Sequence, residues 1–380
     1  MALKLFTLCF LTSRLTAHGL ATVQGSVDTQ KFNTIPTSYR ALVAQSVGNS
    51  FSEVATIKDL PTPNIGNDEA LIKVVYAGVN GGCETFRARG EHAFTGNAET
   101  TDFGLGAEGV GVIAAVGSDV TNVKVGDAVC FVGSAFAEYT KSKASTLWNI
   151  PEPSPEYVGL RISGLTACAM LESTGKLKKG ERVLITAAAG GAGHFAVQFA
   201  KLAGCEVCGT CGSDEKAAVL KKLGCDHVIN YKTQDMNAEL KKFAPNGLDA
   251  VLEGVGGEML QTALQNLGPA GRLLQVGYIS EYPHNPEAAA QSSKNEVNAA
   301  ELFWKSQTIQ RGQQTIYGNA WPKDYGAVAE KKDRVLDLFA EGKLQSIVDK
   351  SFEFEGLESV SDAIEHMLSG KTIGKVVVKI

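Results

Sequence analysis

Two stretches of this chain combine residue types and spacings that suit the binding of a phosphorylated ligand. In Glu181-Arg-Val-Leu-Ile-Thr186-Ala-Ala-Ala189-Gly190-Gly191-Ala192-Gly193 an apolar, β-branched run of strand length meets a glycine turn. From His194 onward, Phe195, Val197, Phe199, Ala200 and Leu202 recur at spacings that one face of a helix can bury. Gly190 and Gly193 can take positive φ or let a ligand reach the backbone. A helix starting there points free N–H groups and its positive dipole end into the turn, which suits a pyrophosphate. The spacing Ala187-x-x-Gly190-x-x-Gly193 departs from the strict Gly-x-Gly-x-x-Gly, and such glycines also serve close packing.

The second stretch is Gly212-Ser213-Asp214-Glu215-Lys216, at the end of a short apolar strand, Glu206 to Cys211. An NAD site places a carboxylate at this strand end, about 20 residues past the glycine turn, to accept from the ribose 2′-hydroxyl. Here Gly212 and Ser213 come first, while Asp214 and Glu215 fall where a helix N-terminus favours acids. Lys216 can reach back to the ribose edge, and Tyr231, after a third strand at Val228 to Asn230, can add a hydroxyl. Ser213, Lys216 and Tyr231 together would receive a 2′-phosphate, so NADPH is the predicted cofactor. The plainer alternative for Lys216 is a solvated helix residue.

The elements that must position these turns form an α/β pattern. Further strands are predicted at Asp249 to Val255, Gly271 to Ile279 and Thr308 to Gly312, with helices at Glu258 to Leu267 and Ala299 to Lys305. This alternation predicts a Rossmann-type, doubly wound parallel sheet, in which ligands lie at the carboxyl ends of the strands. Val255, Gly277, Tyr278 and Ile279 stand at two of those ends. Ser38 to Ile150 reads instead as short strands with little helix, and Leu160 to Leu171 as a helix leading to the glycine turn. The expected organisation is an extension over 1–36, a β-rich domain over 37–162, the nucleotide domain over 163–317, and a return to the first domain over 318–380.

Composition narrows the rest. The 380 residues carry a net charge of −5 with mixed signs and no basic stripe, which argues against nucleic acid. No apolar run approaches the roughly 18 residues needed to span a bilayer. The 8 cysteines sit mostly in apolar contexts and read as reduced, buried thiols. Cys208 and Cys211 fall on opposite faces of one strand, so a redox or metal pair is not predicted. The first 36 residues, with Lys4, Arg14 and Lys31 against a single Asp28, suit a mitochondrial or other organelle transit peptide. A secretory signal, or a disordered extension of a cytoplasmic protein, is the alternative.

From about Tyr39 onward the chain resembles the medium-chain dehydrogenase/reductase superfamily, and within it the zinc-independent quinone oxidoreductase and enone reductase branch. The resemblance is carried by Gly78-Val-Asn80, Phe103-Gly-Leu-Gly-Ala-Glu-Gly-Val-Gly, Phe136-Ala-Glu-Tyr, Ser163-Gly-Leu-Thr166-Ala, the glycine turn and Gly209-Thr-Cys-Gly-Ser-Asp-Glu-Lys216. It implies a GroES-like catalytic domain beside the nucleotide domain, a homodimer, and NADPH-dependent reduction of an enone or quinone, 15-keto-prostaglandins included. Thr166 joins the cofactor residues on this ground. Asn80 and Tyr282 become the catalytic candidates, Tyr282 because it matches the Tyr of the branch's Ile-Ser-x-Tyr motif, with Tyr278 as a further donor. Asn80 could instead cap the turn at Gly81-Gly82.

Two departures matter. Zinc-dependent members hold the metal with a Cys, a His and a Cys, whose second and third positions fall here at Ala107 and near Leu160, so no metal is predicted. Related reductases also follow the Asn with an Asp and then a Tyr, where this chain has Glu84 and Phe86. Phe86 cannot donate a proton, and it favours an alternative in which the chain binds NADPH without being an enzyme.

Overall fold

The strand Arg182–Ile185 alternates cleanly, Val183 and Ile185 packing into one core and Leu184 into another on the opposite face of the sheet. That two-sided burial is what a central parallel strand requires. In the computed structural model, which describes residues 35–91, 101–282, 287, 290, 291, 295, 297–318 and 328–380, it lies within a seven-stranded sheet. The strand order is His227–Asn230, Glu206–Cys211, Arg182–Ile185, Leu248–Glu253, Leu267–Gln275, Gln314–Tyr317, Thr308–Arg311. All but the last are parallel. The direction of winding reverses between Arg182–Ile185 and Leu248–Glu253, and the crevice at their carboxyl ends is where a doubly wound sheet binds its ligand.

Thr308–Arg311 is not the sixth parallel strand. It is the antiparallel edge of a hairpin whose other arm, Gln314–Tyr317, takes that place. Gly312, at φ 63°, makes the reversal possible. The preceding strand is Leu267–Gln275, so Gly277, Tyr278 and Ile279 follow the strand instead of ending it.

A second seven-stranded sheet is antiparallel apart from one edge pair. It runs Phe354–Glu355, Val377–Lys379, Glu69–Gly78, Glu108–Val116, Ala128–Val132, Trp148–Ile150, with Tyr139–Lys143 also on Glu69–Gly78. Its core includes Ile72, Ile113, Phe131 and Phe136, all at or near zero exposure. Each such side chain contributes roughly 1.5–3 kcal/mol by leaving water. Pairing of Val377 with Gly78 brings the chain's last strand beside Asn80, nearly 300 residues earlier. The two sheets belong to one compact unit, Pro36–Ile380. Most of the 1–36 stretch lies outside the described residues.

Cys208 and Cys211 are both buried, Cys208 in the core on one face of the nucleotide sheet and Cys211 in that on the other. Every described cysteine is a free thiol.

Candidate functional site

A cleft of about 470 Å³ opens at the strand ends between the two sheets. Of the residues singled out from the sequence, it is lined by Asn80, Thr166, the turn Ala189 to Gly193, Lys216, Tyr231, Val255, Gly277, Ile279 and Tyr282. Ser213 and Tyr278 are not in its wall.

The glycine turn works by close packing. Positive φ falls on Ala187, at 46°, and not on Gly190 or Gly193. A Cβ at Gly193 would stand 2.3 Å from the Ala187 oxygen and 2.7 Å from the Ala188 Cα, so only glycine lets the helix Gly193–Leu202 begin so near the strand. A Cβ at Gly190 would meet just the Ala187 oxygen, at 3.2 Å, which leaves its other side to the cleft. Such a cradle, with the first turn of a ten-residue helix behind it, fits a pyrophosphate.

Two contacts fix the turn to the C-terminal segment. Gly374 N–H donates to the Ala189 oxygen at 2.8 Å, and His194 joins both sides. Its Nδ1 lies 2.9 Å from the Gly190 oxygen and its Nε2 accepts from Ile347 N–H at 3.1 Å. Burial lowers this imidazole to about 4, so it is neutral at physiological pH. On the neighbouring strand end, buried Glu253 accepts from the N–H groups of Val255 and Gly256 and from Gln275 Nε2 at 2.7–3.1 Å, shaping the turn that carries Val255.

At the far end of the cleft, Asp214 is turned away, its Oδ1 accepting from Asn230 Nδ2 at 2.9 Å. Gly212, Lys216 and Tyr231 remain in the wall, and a Cβ at Gly212 would come within 2.7 Å of the Tyr231 hydroxyl. Ser213 is a correction to the sequence reading. Its hydroxyl accepts from Lys216 N–H at 3.3 Å and so caps the helix Asp214–Lys222. Lys232, which sequence reasoning passed over, stands beside Gly212, and its charge adds to burial in lowering the Lys216 ammonium. These residues fit a 2′-phosphate. Lys216 Nζ donates to the Gly370 oxygen at 2.6 Å, a neutral acceptor that a phosphate can displace. Lys216→Ala is expected to weaken NADPH binding by roughly 10- to 100-fold and NADH binding little, since a charge-assisted bond contributes about 1.5–3 kcal/mol. Fluorescence titration with both cofactors checks this; equal losses would leave Lys216 a purely structural role.

The middle of the cleft is apolar and aromatic. Phe86 lies 5.2 Å from Tyr282, 5.5 Å from Phe303 and 4.8 Å from Trp304, ring centre to ring centre, and stacks on Tyr278. Phe86 is thus the hub of an aromatic cluster that joins the helix Gly81–Ala88 to the segments carrying Tyr278, Tyr282 and Phe303. Tyr278 is the second correction, because its buried hydroxyl accepts from Trp304 Nε1 at 2.6 Å, away from the cleft. Tyr282 faces the cleft at 5 % exposure. Burial, above all, raises its phenol far above the ordinary tyrosine value, so it keeps its proton.

Asn80 does not cap the helix Gly81–Ala88 through its side chain. Its Nδ2 donates to Glu108 Oε1 at 2.9 Å and its Oδ1 accepts from Lys375 Nζ at 2.7 Å. Lys375 also lies 2.6 Å from Glu108 Oε1, and Glu108 Oε2 accepts from Ile162 N–H at 2.7 Å. A Cβ at Gly78 would stand 2.9 Å from both Glu108 Cγ and Lys375 Cε, so this glycine lets the two side chains meet. These residues do not fit zinc: the ammonium of Lys375 occupies the cationic position beside Glu108. Among the described residues no three His, Cys, Asp or Glu side chains gather as metal ligands.

A glycine turn that fits a pyrophosphate, at the switch point of a doubly wound sheet and facing an apolar pocket on a second, β-rich sheet, is the arrangement of a nucleotide-dependent oxidoreductase. Residues 191–331 match the zinc-binding dehydrogenase family and residues 66–152 the alcohol dehydrogenase GroES-like domain. The chain belongs to the medium-chain dehydrogenase/reductase superfamily. It is 38 % identical to prostaglandin reductase-3 of Mus musculus, over 91 % of this chain and 90 % of that one. It is 34 % identical to a probable quinone oxidoreductase of Leishmania amazonensis, over 91 % and 99 %. A solved mycobacterial structure complexed with NADPH superposes with a TM-score of 0.74 at 25 % identity, covering 90 % of this chain and 100 % of that one.

Proposed function

We propose that the protein is an NADPH-dependent reductase of α,β-unsaturated ketones and quinones, with hydride delivered to the β-carbon and 15-keto-prostaglandin-like enones among its substrates. Prostaglandin reductase and quinone oxidoreductase relatives that align along nearly the whole chain support this reading. NADPH supplies the hydride. The turn Ala189 to Gly193 holds the pyrophosphate and Lys216, Tyr231 and Lys232 the 2′-phosphate. Thr166, Val255, Gly277 and Ile279 border the rest of the cofactor's path through the cleft.

The observation that carries the proposal is a buried phenol, Tyr282, in an apolar wall continuous with the glycine turn. Its hydroxyl can donate to the substrate oxygen as enolate charge develops. Asn80 offers the second hydrogen of Nδ2, the first being held by Glu108. Phe86, Phe303 and Met259 keep water from the reacting carbon. A panel of quinones, short enals and 15-keto-prostaglandins, each followed by NADPH consumption, tests the reading; consumption with none of them favours the non-enzymatic alternative.

We assign 37–162 with 318–380 to the β-rich domain and 163–317 to the nucleotide domain, because the strands at 354–355 and 377–379 join the largely antiparallel sheet. A homodimer through the largely exposed edge strand Thr308–Arg311 and an organelle address in residues 1–36 complete the proposal. Sedimentation and imaging of the tagged full chain test these two.

A further inference from the structure

Behind Asn80 stand two carboxylates and one ammonium, all withdrawn from water. Glu84 is 1 % exposed, Glu108 0 % and Lys375 2 %. Glu108 is saturated by Asn80, Lys375 and Ile162 N–H. Glu84, on the helix that Asn80 precedes, has neither side-chain oxygen hydrogen-bonded. A single ammonium balances a single carboxylate, and a second, unpartnered anion at this depth is far costlier than a protonated acid.

We propose that Glu84 is a positioning residue for the reduction: uncharged, it leaves Lys375 shared between Glu108 and Asn80, and so fixes the carboxamide that edges the cleft. Ionised, Glu84 competes for Lys375 and loosens Asn80. The proposal rests on reading the cleft as an enone reductase site.

At Glu84 burial outweighs the groups that favour the ionised form. Burial raises its carboxyl to about 8; Lys375 and the nearby N–H groups of Ala107 and Asn80 pull it down, and Glu108 pushes it up. Cys83, next to it on the same helix, is itself raised by burial and by Glu84 and Glu108, and remains a neutral thiol. The helices Phe51–Val54 and Val360–Leu368 pack on this one, and their Glu53, Asp362 and Glu365 point to solvent. His366 on the second of them is engaged by Asp349.

The test is the pH profile of kcat/KM for NADPH-dependent reduction of 3-nonen-2-one by the wild type, Glu84→Gln and Glu84→Leu. The wild type is expected to lose activity above about pH 8, by up to tenfold per unit, while both variants lack this basic limb. Urea unfolding gives a second readout. A folded-state value raised above the unfolded one contributes stability that is full below about 4.5 and is lost as pH rises through about 8. That slope should be present in the wild type and missing from the variants. A basic limb and stability slope unchanged in either variant that folds would overturn the proposal. Absence of turnover by the wild type at every pH would overturn the enone-reductase reading and this role with it.

Discussion

Replacing Lys375 by Met is expected to destabilise the protein by about 3–5 kcal/mol, the usual consequence of removing one partner from a buried ion pair. The methionine fills nearly the same space, so packing changes little. What it leaves behind is the charge of Glu108, at 0 % exposure, with two N–H donors and no cation. Adding Glu108→Gln should recover most of the loss, because the buried charge goes with it. Equilibrium denaturation of both single variants and the double variant measures the coupling. A Lys375→Met cost below about 1 kcal/mol would mean that the pair is not buried as described.

Tyr282→Phe is expected to lower kcat for enone reduction by about 10²–10³-fold, corresponding to roughly 2.7–4 kcal/mol for one lost donor to a developing oxyanion. The ring, its contacts with Phe86 and Tyr278, and the apolar wall all remain. NADPH affinity should therefore stay within about threefold, since the hydroxyl contributes to the reacting centre and not to the phosphate end. Steady-state kinetics with cofactor titration separates the two effects. Unchanged kcat would transfer the role to Asn80.

The nucleotide-binding half was readable because its signals are local. A β-branched run, a glycine turn and a helical pattern lie within about twenty residues, and each supports the others. The placement of Cys208 and Cys211 on opposite faces of one strand followed from strand alternation in the same way. The hairpin at 308–317 was read as one strand because Gly312 looks like an end when its partner strand is not known. Ser213 and Tyr278 were placed by sequence position in the cleft wall, yet a helix cap and a Trp304 contact claim their hydroxyls.

The polar network behind Asn80 was hidden for a different reason. Lys375 in Gly-Lys-Val-Val-Val-Lys reads as one more exposed lysine, and Glu108 as a polar break in a glycine-rich strand. Their contact depends on a strand pairing that spans nearly the whole chain, and no local pattern encodes it. Glu84 was visible as a departure from the family, but its burial and lack of partners emerge only from the fold. Lys232 was missed because it is exposed and becomes relevant only through its nearness to Gly212 and Lys216.

The most direct test is a single turnover of an enone with NADPH deuterated at C4 of the nicotinamide on the transferred face, followed by locating the label in the product. The expected product is a saturated ketone carrying one deuterium on the former β-carbon, with solvent supplying the α-proton. Deuterium on the carbonyl carbon of an allylic alcohol, or NADPH that binds and is never consumed, would contradict it.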